Sequence, residues 1–335
     1  MTAITGASAP PGETRHLPRG IRRVLYRVRH EASPDDADFV EGRNYRRREA
    51  LLAYALILPA FFFFAVFSFY PFLRNFYLAL LRNGAYPGLP SKYVGVSQFW
   101  SAIISPEFVD SLKSTAIFVA IIVPCGVLGG LLLAILAHQK LRGIAVFRTA
   151  FASTVASSAA VAAAVFGIFF NPNYGFMPWL HANISPPILA NPTWALPAMA
   201  LIQVWTFVGV GFIIITAGLQ SLPEEVLEAA VVDGASTWQR MWKVTVPLLA
   251  PSIYVTIIVA TIGALQGFGQ IDVLIGPGGS AFVHTNVLIY LVYQTIQIRS
   301  NYGLAACYSI ALFVITLIVT LMQLRLWQRG RDDAY

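Results

Sequence analysis

The sequence predicts an all-α polytopic membrane protein with six transmembrane helices and a helix-turn-helix loop on its cytoplasmic side. Composition is the first reason. Of 335 residues, 57% are hydrophobic and only 12% charged, with a mean hydropathy of +0.65, whereas soluble domains carry about a quarter charged residues. Segregation is the second. The apolar residues gather into blocks near 51–72, 112–137, 147–170, 196–219, 252–274 and 304–326. Each is long enough to cross a hydrocarbon core of about 30 Å as a helix. The third is the placement of Lys and Arg. Ten lie in the N-terminal tail, three in 138–148, two in 220–251 and three at the C-terminal end. Only Arg74, Arg82, Lys92, Lys113 and Arg299 fall on the opposite side. The positive-inside rule then puts both termini and the 220–251 loop in the cytoplasm.

Two regions are expected: a basic tail over 1–48 and a membrane domain over 49–330 containing the loop 221–247. Residues 1–18 are rich in Pro, Gly and Thr, a composition that stays disordered. Gly20–His30 places Ile21, Val24, Leu25 and Val28 on one helical face, with arginines elsewhere around it. This suits either a helix lying on anionic lipid or a disordered positive anchor. About fifty residues, many of them charged, precede the first block, unlike a cleavable signal peptide.

The blocks follow in order. Pro59, Pro124 and Pro197 lie inside spans, where a bilayer tolerates kinks. Gly126, Gly129 and Gly130 in the second block, and the Ala-rich run Val155–Val165 in the third, predict faces turned toward other helices. The connection 73–111 carries turn residues at Asn83-Gly84 and Tyr86-Pro87-Gly88, and 171–195 is uncharged and rich in Asn and Pro. After Gly276-Pro277-Gly278-Gly279, the run 287–293 is too short and too aromatic for a span and reads as an interfacial helix. Cys125 and Cys307 are expected to be buried apolar residues. His16, His30, His138, His181 and His284 are scattered, with no metal or nucleophile constellation. The net charge of +7 belongs to membrane flanks and not to a nucleic-acid surface.

The loop carries the strongest local pattern. Ser221 and Glu224 have capping-box spacing, with Pro223 in the first turn. Asp233-Gly234 supplies a turn, and Ser236 caps a second short helix bearing Trp238, Met241 and Trp242. The result is a compact knob, with Ala229 and Ala230 open to close approach and Glu228 projecting a charge. A solvated connector has the same local chemistry.

The order Glu228-Ala229-Ala230, Asp233-Gly234-Ala235, Pro247-Leu248-Leu249 resembles the signature loop of binding-protein-dependent ABC importer permeases. Leu58-Pro59, Tyr70-Pro71, Lys92-Tyr93-Val94-Gly95, Phe147-Arg148-Thr149, Asn171-Pro172, Gly276-Pro277-Gly278-Gly279 and Gln323-Leu324-Arg325 are similar to the maltose-type, carbohydrate-uptake branch. The resemblance covers about residues 50–327. Ala152–Ser158 departs from it, standing where Leu-Pro is usual, and the Trp often found near Phe166 is absent.

The resemblance implies a non-catalytic permease subunit in a prokaryotic cell membrane. Its partners would be a second, non-identical permease, two copies of an ATPase and an extracytoplasmic binding protein. The chain has no Gly-x-x-x-x-Gly-Lys-Ser/Thr loop, so ATP and Mg would be bound by the ATPase and no cofactor is expected here. Glu228, Ala229, Ala230, Asp233 and Gly234 would form the ATPase contact. Gln203 and Trp205 align with the region where maltose-type permeases meet sugar. Gln266, Gln270, Asp272, Tyr308 and Ser309 are further polar or aromatic candidates in the fifth and sixth blocks. The missing charge deep in the spans favours a sugar or sugar-like solute. Glycerol phosphate or its diesters are the alternative, and the Ser/Thr-rich third block leans toward them. An ion-coupled secondary transporter would need midplane ionisable residues and paired broken helices.

Overall fold

The computed structural model describes residues 43–83, 91–139, 142–171, 175–176, 188–275 and 285–332. The tail 1–42, the Tyr86-Pro87-Gly88 turn, most of the 171–195 connection and Gly276–Gly279 lie outside them. The chain divides into two units, Met1–Phe72 and Leu73–Tyr335.

In the first unit, α1 (Arg43–Phe64) runs into a π-helical turn at Ala65–Phe69. No residue from Ala50 to Phe72 is buried, and the Phe61–Phe64 run is exposed. A helix apolar all round with no buried face suits lipid.

The following helix α2 (Tyr70–Ala79), in which the second unit begins at Leu73, completes the candidate span Ala50–Ala79. A two-stranded antiparallel ribbon of β1 (Leu81–Arg82) and β2 (Lys92–Tyr93) leads to α3 (Ser97–Ile104). The long helices are α4 (Pro106–His138) and α7 (Ala195–Gln220). Between them lie α5 (Ile144–Ala152), a 3-10 turn at Ser153–Ala156 and α6 (Ala159–Phe169). The loop folds as α8 (Glu224–Val232) and α9 (Thr237–Arg240). A π turn at Met241–Thr245 and α10 (Val246–Leu248) lead into α11 (Ala250–Leu265). α12 (Gly269–Ile275), α13 (Leu288–Gln297) and α14 (Tyr302–Asp332) complete the fold.

Ala50–Ala79, Pro106–His138, Ala195–Gln220 and Tyr302–Gly330 are continuous helices long and apolar enough to span a membrane. Among the described residues these are four, and counting each of two bent pairs as one span gives six. Ile144–Ala156 with Ala159–Phe169 turns by 102°, and Thr237–Leu248 with Ala250–Leu265 by 64°. The third block is therefore not one straight helix. Its hydroxyls take over the backbone: Ser153 Oγ donates to Ala150 O and Thr154 Oγ1 to Phe151 O, Ser157 is extended, and Ser158 Oγ accepts from Val161 N at 3.2 Å. The fifth block also differs from expectation. Its helix stops at Leu265, and the chain passes through Gln266-Gly267-Phe268 before α12 begins.

α4 and α7 run parallel along a seam of small residues. A Cβ on Gly126 would lie 2.7 Å from the Phe207 ring, one on Gly129 2.8 Å from Val208, and one on Gly130 2.9 Å from the Gly211 backbone. Such approach is what packs helices in lipid, where the hydrophobic effect between them is absent. Ala162 and Ala163 of α6 are likewise buried. Cys307 is buried, but Cys125 is exposed, because it follows Pro124 on the outward face of α4.

At the end of the bundle where α4 begins, polar contacts lock the connections. Arg299 donates to both Glu107 oxygens, at 2.6 and 3.1 Å, and this carboxylate holds the guanidinium pKa above its usual value. Asn83 Nδ2 donates to Ser300 O, and Asn83 Oδ1 accepts from Gly303 N. The run 287–293 is helical as expected, although α13 is largely buried, including Leu288, Tyr290 and Leu291.

Candidate functional site

Two places gather the residues singled out above. The first is the knob formed by α8 and α9. Pro223 is extended (φ −62°, ψ 122°) and starts α8, while Ser221 closes α7 and donates its hydroxyl to Gly218 O at 2.8 Å. The expected capping box at Ser221 and Glu224 is therefore not formed. Ser221 stays helical as the C-cap of α7, and extended Pro223 takes the N-cap position of α8 in its place. The box forms one helix later, where Ser236 Oγ accepts from Gln239 N and Gln239 Oε1 accepts from Ser236 N at 2.9 Å.

Gly234 has φ +77° and stands at the centre of a Schellman turn: Ala235 N donates to Ala230 O and Gly234 N to Val231 O, both at 3.0 Å. Glu228, Ala229, Asp233 and Gly234 are exposed, whereas Ala230 is turned inward. Trp238 and Trp242 meet edge to face on the same knob, with ring centroids 5.4 Å apart, and both are exposed.

The second place is a cavity of about 340 Å³ where the third span breaks at Ser157 and the helix of the fifth block stops at Leu265. Thr154, Val155, Ser157 and Ala159 line it from the third span. Gln203, Thr206, Phe207 and Val210 line it from α7, and Gly263 with Gln266–Gln270 from the fifth span. Irregular backbone at membrane depth is tolerated where it faces such a space. No lining side chain is ionisable. Gln270 is almost fully buried and donates from Nε2 to Gln203 Oε1, while its own Oε1 is buried with no partner. Gln203 is half-buried and Gln266 exposed.

Three predicted residues, Gln203, Gln266 and Gln270, thus share one cavity. The other candidates are elsewhere. Trp205 is 40% exposed and packs edge to face on Phe166 at 5.6 Å. Tyr308 is buried, stacked on Phe108 at 5.9 Å with its hydroxyl 3.3 Å from Ser105 Oγ. Ser309 Oγ bonds Ala305 O within α14, and Asp272 is half-buried on α12 outside the lining. The sequence reading missed Thr154, Ser157, Thr206 and Phe268. The Ser/Thr run 153–158 was the available signal for the first two, since a hydroxyl cluster in place of a helix former marks a break.

Residues 99–332 match the family described as binding-protein-dependent transport system inner membrane component. The chain belongs to that family. The permease is 32% identical over 279 residues to the sn-glycerol-3-phosphate transport system permease protein UgpA of Agrobacterium fabrum, covering 82% of this chain and 94% of that one. It is 31% identical over 290 residues to the trehalose/maltose transport system permease protein MalF of Thermococcus litoralis, covering 85% and 96%. Among solved structures, a bacterial ABC transporter involved in import of the acidic polysaccharide alginate superposes with a TM-score of 0.74 at 22% identity, over 86% of this chain and 99% of that one. This last likeness supports the fold. The protein is a multi-pass inner-membrane permease of a binding-protein-dependent ABC importer, a non-catalytic subunit that works with a separate ATPase and a binding protein.

Proposed function

We propose that this permease passes a neutral, polyhydroxylated solute of sugar type through the cavity at the two helix breaks. One observation carries the reading: the lining offers three glutamine amides, several hydroxyls and the Phe268 ring, and no charge. Amides both donate to and accept from hydroxyls. A phosphate entering the same space would lose its hydration without a cation to replace it, which is strongly unfavourable. The trehalose/maltose relative supports this choice, while the glycerol-phosphate relative supports the second reading, a phosphoester solute. Gln203, Gln266 and Gln270 are the proposed contacts. Tyr308 and Trp205 we assign to packing, on the grounds of their ring partners and because neither lines the cavity.

In the same proposal the knob over 221–247 docks on the ATPase. Glu228 and Ala229 form its exposed face, and Asp233 with Gly234 set its turn. Two ATPase copies and a non-identical second permease complete the membrane complex. The binding protein delivers solute at the end of the bundle opposite the knob, and both termini lie in the cytoplasm.

Calorimetry on the cognate binding protein with trehalose and with sn-glycerol 3-phosphate, paired with uptake by the reconstituted complex, tests the solute class. Trehalose or a related neutral sugar should bind and be taken up. Removing one amide hydrogen bond, about 1 kcal/mol, should raise the uptake KM of Gln266→Ala several-fold. Tight binding and uptake of glycerol phosphate alone would replace this reading by the second one.

A further inference from the structure

The two segments that follow the breaks, α6 and α12, pack on each other. A side chain at Gly167 would meet Leu274 at 3.1 Å, and one at Gly269 would meet Ala159 at 3.5 Å. Leu274 also joins Ala162, Phe170, Ala198 and Ile202 in one apolar cluster. Each segment is joined to the rest of its span by non-helical backbone, at Ser157 on one side and at Gln266-Gly267-Phe268 on the other. These two points are the non-helical joints of the pair, which also packs on α7 through Ala198 and Ile202.

One polar contact crosses the cavity wall between this pair and α7: Gln270 Nε2 on α12 donates to Gln203 Oε1. Gly267 makes room for it, since a Cβ there would come within 3.3 Å of Gln203 Oε1. The remaining carbonyl of Gln270 has no donor, although its residue is almost fully buried and lines the cavity. Buried polar atoms are nearly always paired, and one left orphaned beside a cavity marks a place prepared for a donor.

We propose that the Gln203–Gln270 contact is a solute-operated latch. In the empty cavity it ties α12, with α6 packed on it, to α7. A solute hydroxyl donates to Gln270 Oε1, draws the amide out of the contact and releases the pair. Occupancy of the cavity thereby becomes a condition for the movement that brings the ATPases together. The latch rests on the cavity being the solute pathway, as proposed above.

The test uses the complete importer, with both permeases, the ATPase and the binding protein, reconstituted in liposomes. ATP hydrolysis is measured without solute and with trehalose or sn-glycerol 3-phosphate as probes. Gln270→Leu and Gln203→Leu keep side-chain bulk and remove the bond. Each should raise solute-free hydrolysis about fivefold or more, the lower range of coupling carried by one switching element. The double variant should rise no further than either single one, because both remove the same contact. A purely structural defect would lower hydrolysis in all conditions. Gln270→Asn, which shortens the side chain but keeps its amide, gives the same reading if the leucine variant fails to assemble. Solute-free hydrolysis at the wild-type level in the assembled variants would overturn the latch. The pathway is judged separately by Gln266→Ala, outside the latch: an unchanged uptake KM there would remove the pathway reading whatever the hydrolysis assay shows.

Discussion

At the scale of single residues, glycines show how closely the fold is drawn together. Gly130 lets α4 touch the α7 backbone, and an added Cβ would have to displace Gly211 main-chain atoms at 2.9 and 3.1 Å. Main chain cannot rotate away as a flexible side chain can. Gly130→Ala should therefore destabilise the permease by about 1–3 kcal/mol, the range for overpacking a filled core. Gly234 has open space around its Cβ position but φ +77°, so Gly234→Ala pays only backbone strain of about 1–2 kcal/mol. Gly330, inside α14, has nothing within 4 Å. There alanine should be neutral or stabilising by up to about 1 kcal/mol, as usual for an exposed helix position. Thermal midpoints of the three detergent-purified variants should follow that order, with Gly130→Ala lowest and Gly330→Ala at or above wild type. A Gly130→Ala midpoint equal to that of Gly330→Ala would mean the α4–α7 seam is looser than its geometry indicates.

At the scale of elements, caps and breaks decide where helices stop, and here sequence and structure part company. Ser236 with Gln239 closes a full capping box on α9, so Ser236→Ala should cost about 1 kcal/mol of local stability. Ser221→Ala should cost much less, because that hydroxyl only bonds back to Gly218 O at the end of α7. Hydrogen exchange over 224–245 separates the two: faster exchange in Ser236→Ala, near wild-type exchange in Ser221→Ala. The spacing Ser-x-x-Glu was equally good at 221, and what it could not convey was the extended backbone that Pro223 imposes. Span existence was legible because about twenty apolar residues in a row have few other fates. The interruptions at Ser157 and Gln266 were harder to see, since hydropathy averages over them while local hydroxyl and glycine chemistry creates them. The same difficulty hid most of the cavity lining. Its glutamines stood out as polar residues inside spans, but Thr154, Ser157 and Phe268 line it only because the helices break where they do.

At the scale of the whole molecule, the cavity and the knob are separate devices joined by helices. From Gln203 to Gln220 the same helix, α7, runs about 25 Å at 1.5 Å per residue. The return path passes the π turn Met241–Thr245 and the 64° bend into α11. Near the knob, α7 and α11 touch so closely that a Cβ on Gly218 would overlap Ser252. In the proposed docking, a push on the knob would reach both walls of the cavity through these two helices. Coupling of this kind predicts an order of dominance between variants. Glu228→Lys reverses the exposed charge of the proposed docking face, and Gly234→Asp forces a side chain onto a left-handed turn residue. Both should lower solute-stimulated hydrolysis and uptake about tenfold or more, as loss of a charged docking contact does at an interface. Combined with Gln270→Leu, Glu228→Lys should suppress the raised solute-free hydrolysis, because a released latch has no effect when the knob cannot engage the ATPase. Hydrolysis that stays high in the Glu228→Lys, Gln270→Leu double variant would mean that the cavity reaches the ATPase by a route other than the 221–247 loop.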